Sequence, residues 1–132
     1  MKYILMMNAT KADCEWYTKW SKEDLRTNAA FMRAFSQELR DSGAFVATEG
    51  LAFPDHAKIV RAGSDGAPVT DGVFPEAKEF LMGYWIIDVE SAEEAYRIAA
   101  RASAAPAPKG TKGSMPIEVR QVMSGAPEEL LR

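Results

Sequence analysis

The sequence predicts an α+β fold in which one sheet carries helices on a single face. Three observations carry this. Apolar runs of strand length, led by "LMGYWIIDV" (Leu81–Val89), are separated by two segments whose apolar residues recur every three or four positions. Each of those segments follows a Ser with an acid three residues on, a variant of the helix-starting capping box. Turn chemistry rich in Gly, Asp and Pro divides the remainder. The order reads β-α-β-β-β-α-β over 132 residues, a length suited to one domain spanning residues 1–132.

Lys2–Met7 is a short apolar run and reads as a buried strand. "NATKADCEWYTKW" reads as a polar connector carrying Trp16, Tyr17 and Trp20. Ser21 with Asp24 starts the first helix, and Leu25, Ala29, Met32, Phe35 and Leu39 form its apolar stripe. Gly43 ends it in the left-handed conformation. Ala44–Leu51 reads as a strand, "FPDH" as a turn, and Ala57–Ala62 as a strand pairing back in a hairpin. "GSDGAPVTDG" reads as turn chemistry. Leu81–Val89 is the strongest strand. Ser91 with Glu94 starts a second helix, striped by Ala92, Ala95, Tyr96, Ala99 and Ala102. The prolines of "SAAPAPKGTKGS" stop that helix. "MPIEVRQVM" is the last strand, and "SGAPEELLR" is a tail with no assigned element.

Without the extra hairpin strand this order is βαββαβ, the ferredoxin-like pattern. Its two helices cover one face. Yet both faces of the central strands are apolar: Tyr84 and Ile86 against Trp85, Ile87 and Val89, and Tyr3, Leu5 and Met7 against Ile4 and Met6. A sheet with one solvated face would alternate more cleanly. The expected cover is a second copy of the sheet, packed by two-fold symmetry in a homodimer. The other cover available is the connector with Trp16 and Trp20.

Composition excludes several classes. A net charge of −3 with scattered Lys and Arg offers no nucleic-acid footprint and no membrane-surface patch. One cysteine, Cys14, excludes an internal disulfide. Cys14 and the single His56 cannot supply a structural zinc site, so no metal is expected. The start "MKYILMM" is too short an apolar run for a signal peptide, which points to the cytoplasm.

The chemistry-bearing stretch is "DGVFPEAKEF", residues 71–80. Asp71, Glu76 and Glu79 around Lys78 offer both raised and lowered carboxyl pKa environments, which acid–base work requires. Gly72 permits close backbone approach, and Phe74 offers an apolar wall. A second reading stands beside this one: Asp71 caps a turn, and the charged residues face water or a neighbouring chain. His56, beside Asp55, is either a general base or an exposed turn residue. Cys14 lies between Asp13 and Glu15, which would raise its pKa and blunt it as a nucleophile. Tyr84 and Trp85 read as core or interface.

"DGVFPEAKEF" followed by "MGYWIIDV" resembles the DGPF signature of the YCII-related proteins, as do the ending "IEVRQV" and the start "MKYILMM". Asp71, Gly72, Phe74, Glu76, Lys78 and Glu79 match the signature, whereas Val73, Pro75 and Ala77 depart from it. The resemblance implies a ferredoxin-like domain of the dimeric α+β barrel group. No cofactor is expected. The residues themselves point to a small-molecule binder or enzyme with a carboxylate-lined cleft, in which Asp71, Glu76 and His56 are the candidate catalytic residues. Gly72, Phe74, Lys78 and Glu79 are the candidate ligand contacts. The catalytic His expected near the first helix in part of that family is absent here. The alternative implied is a non-catalytic interaction or regulatory protein linked to sigma-factor-dependent transcription.

Overall fold

The computed structural model describes residues 1–72, 79–108, 114–123, 125 and 127–132. The strands are β1 (Lys2–Ala9), β2 (Phe45–Gly50), β3 (Lys58–Ala62), β4 (Pro68–Gly72), β5 (Phe80–Asp88) and β6 (Ile117–Gln121). The helices are α1 (Lys11–Thr18), α2 (Lys22–Asp41), α3 (Ala92–Ser103) and the single turn α4 (Glu128–Leu131). Four strands form an antiparallel sheet in the order β2-β5-β1-β6. Setting aside α1 and the β3–β4 pair, the chain runs βαββαβ with its fourth strand beside the first and its third beside the second. The architecture is α+β, compatible with a ferredoxin-like fold.

Alternation along the strands decides which side is core. Tyr3 and Leu5 share a face with Ile87 and Trp85, their cross-strand partners. That face is buried under Phe35 and Leu39 of α2 and Ala95, Ile98, Ala99 and Ala102 of α3. Leu5 and Ile87 lose all contact with water, which stabilises the fold by about 1.5–3 kcal/mol each. The opposite face carries Ile4, Met6, Tyr84 and Ile86, all half-buried. Trp85 ties the layers together. Its ring meets Phe35 edge-on at 5.3 Å, and its indole N–H donates to Ser36 Oγ at 3.3 Å.

Both expected helix starts are present: Ser21 and Ser91 accept from the backbone N–H groups of Asp24 and Glu94. Gly43 has a φ of 81°, as a helix-ending glycine should.

Several expectations are corrected. The stretch read as a connector after β1 contains α1, started by Thr10 and Asp13 in a complete capping box. Ala57–Ala62 does not pair with Ala44–Leu51. Instead β2 pairs with β5, while β3 pairs with β4 in a separate two-stranded ribbon. The stretch read as turn chemistry therefore holds a strand, Pro68–Gly72, and the turn is confined to its first residues. There Gly66 takes a φ of 84° and Gly63 N–H donates to the Ala67 carbonyl at 2.7 Å. In α2 Ala29 is exposed, and in α3 Ile98 is buried in place of Tyr96, which is 56% exposed. The tail holds α4.

Candidate functional site

The site grows from the place where β1, β2 and β5 end together. β1 closes at Ala9, and Thr10 turns the chain into α1. Thr10 Oγ1 accepts from the Asp13 N–H at 3.1 Å, and the Asp13 carboxylate accepts from the Thr10 N–H at 3.0 Å. On the neighbouring strand the register slips. Met7 faces Gly83 and Asn8 faces Leu81, so Met82 is left without a partner on β1. This is a β-bulge, a device that re-aims a side chain and is common beside active sites. Cys14 Sγ of α1 lies 3.8 Å from Met82 Sδ. β2 passes Gly50, and Leu51 N–H donates to the Met82 carbonyl at 2.9 Å. The chain then turns through the 3₁₀ turn Pro54–His56.

Two adjoining hollows result, one on each side of Leu51–Phe53. The first, about 380 Å³, lies against α1 and is lined by Asp13, Cys14, Tyr17, Phe53 and Met82 among others. The second, about 520 Å³, has Leu51, Phe53, Phe80 and Leu81 as walls and His56 and Glu79 as polar members. Both volumes suit a small organic ligand. An aromatic group borders the first hollow: Tyr17 meets Phe53 at 6.3 Å and Trp20 at 5.0 Å, and Trp16 meets Trp20 at 5.1 Å. The Trp20 indole N–H is buried, with no acceptor among the described residues.

The electrostatics are mild. Burial, with smaller contributions from Asp13 and Glu15, pushes the Cys14 thiol above its usual range. Cys14 is therefore a poor nucleophile at neutral pH. His56 Nε2 stands 3.7 Å from the Asp55 carboxylate, both in water. Among the described residues no group of three or more His, Cys, Asp or Glu is arranged to hold a metal ion.

The expected site residues divide into three groups. His56 and Glu79 line one hollow. Asp71 and Gly72 lie on exposed β4, opposite Ile59 and Lys58, and neither lines that hollow. Phe74, Glu76 and Lys78 fall outside the described residues. Sequence reasoning missed Leu51, Phe53 and Met82, and it placed Tyr17 on a connector rather than on a helix. The Thr10-x-x-Asp13 pattern would have revealed α1, and with it Tyr17. Nothing local announces the bulge at Met82.

A four-stranded antiparallel sheet in this order, with helices on one face and an apolar hollow at the strand ends, defines a small α+β domain of ferredoxin-like topology. The chain belongs to the YCII-related domain family, whose model matches residues 1–122. No curated protein matches it. Among the described residues no helix is long and apolar enough to cross a membrane.

Proposed function

We propose that this chain is a small-molecule-binding protein whose site is the pair of hollows around Leu51–Phe53, and that it works as a homodimer. The observation that supports the reading best is the meeting of His56 and Glu79, distant in sequence, in one apolar hollow. A few polar groups converging on an apolar concavity are what a ligand site requires. In this reading His56 handles protons and Glu79 contacts the ligand, while Asp71 and Gly72, on exposed β4, stand outside the hollows. The chemistry within reach is proton transfer between the His56 imidazole and a bound small molecule. The dimer follows from the half-buried apolar face of Ile4, Met6, Tyr84 and Ile86, which a two-fold copy would cover.

The test is a fragment library read by ligand-observed NMR. Fragments that bind the native protein should be lost on filling the hollow with Leu51→Trp, and weakened by His56→Ala and Glu79→Gln. Fragments that bind all three variants as they bind the native protein would overturn the assignment.

A second reading, an interaction protein, is favoured by the β3–β4 ribbon. Every residue of it is exposed, including Ile59, Val60 and Val69. Two-stranded ribbons are marginal alone and gain from a surface to pack on.

A further inference from the structure

A groove separate from those hollows runs between α2 and the edge strand β2. Its volume is about 510 Å³, and Met32, Tyr84 and Trp85 contribute to its lining. Three facts set its chemistry. Arg33 and Arg40 both line it, and among the described residues neither forms an ion pair. They stand one helical turn before and one after Ser36, so their side chains can converge above it. The Arg40 guanidinium lies over the Phe45 ring at 4.2 Å, a contact to the ring face that uses none of its N–H donors.

Ser36 is the second fact. It is a polar residue only 8% exposed, and its Oγ already accepts from the Trp85 indole. Its own proton has no acceptor among the described residues, so the hydroxyl can donate into the groove. Third, the remaining polar members do not neutralise the arginines. Gln37 is held by Asp41 at 2.9 Å, and Glu49 is the one carboxylate in the lining.

We propose that this groove is a second binding site, which takes the carboxylate of an amphipathic organic acid. Arg33 and Arg40 grip the carboxylate above Ser36, and the apolar body lies against Met32. A planar carboxylate matches the arginine fork better than a point-charge partner would. With Glu49 opposing, a single negative charge suits the site better than a double one.

Octanoate is the probe, with octylamine as the control of opposite charge. The Trp85 indole N–H resonance is the reporter, because its acceptor Ser36 lies in the groove lining. Octanoate should shift that resonance saturably and leave those of Trp16 and Trp20 in place. Arg33→Gln and Arg40→Gln should each weaken binding about tenfold. Arg97→Gln on α3, outside the groove, should leave it unchanged. Octylamine should not bind there. Absence of saturation below about 10 mM, equal binding of octylamine, or affinity indifferent to both groove arginines would overturn the proposal.

Discussion

Gly83 lies on β5, the central strand that separates the core from the opposite face, and its tolerance of a methyl group can be worked out from its neighbours. A Cβ placed there would lie 3.1 Å from the Glu49 carbonyl oxygen and 3.1 Å from Met7 Cε. The methionine tip can swing aside. The carbonyl cannot, because Glu49 is held against Tyr84 in the β2–β5 ladder. Gly83→Ala must therefore push β2 outward by a few tenths of an ångström. Overpacking of this kind costs about 1–3 kcal/mol. The stiffer unfolded chain returns about 0.4–1 kcal/mol. The net expectation is a loss of about 1–2 kcal/mol, seen as a lower urea midpoint at unchanged slope and a Tm lower by roughly 3–8 °C. Gly50 is its cross-strand partner and has nothing within 4 Å of its Cβ position. Gly50→Ala should be neutral or slightly stabilising. A Gly83→Ala protein as stable as the native one, or a Gly50→Ala protein that loses more, would refute the close-packing argument.

Two further predictions concern Cys14 and the sheet. Burial and its acidic neighbours raise the Cys14 pKa above 9.0, so iodoacetamide should alkylate it more slowly at neutral pH than it alkylates a free thiol. The native state also keeps this proton to higher pH than the unfolded chain. Stability from this group is full below 9.0 and declines as pH rises through the folded value, a decline that Cys14→Ser should abolish. Ile86→Lys places a charge on the half-buried apolar face and should convert a dimer to a monomer in sedimentation velocity, whereas a native protein that sediments as a monomer would contradict the proposed assembly.

The parts of the fold legible in the sequence are those set by local chemistry. Ser21 and Ser91 announce their helices because a hydroxyl with an acid three residues on satisfies free N–H groups wherever it occurs. Thr10 with Asp13 makes the same announcement, but no residue of α1 is fully buried, so no apolar stripe draws attention to it. β4 is hidden for a different reason. "PVTDG" sets only Val69 and Thr70 among the turn formers Pro, Asp and Gly, and it becomes a strand where the Gly63–Ala67 turn folds it onto β3. The strand partners of β2 were likewise invisible, since pairing with β5 is fixed across the whole sheet. The site follows the same rule. Glu79 is marked by the DGVFPEAKEF segment, and His56 is marked as the single histidine. Both line one hollow only because the Leu51–Phe53 path, tied to β5 by the Leu51 N–H to Met82 carbonyl bond, carries the 3₁₀ turn beside the start of β5.

If the protein binds a small molecule, the hollows around Leu51–Phe53 hold it. A crystal structure of the protein soaked with the tightest-binding fragment from the NMR screen tests this placement most directly. Density is expected between Phe53 and Phe80, with a polar atom within hydrogen-bonding distance of His56 or Glu79. Density elsewhere, with these hollows filled by the protein's own side chains, would contradict it.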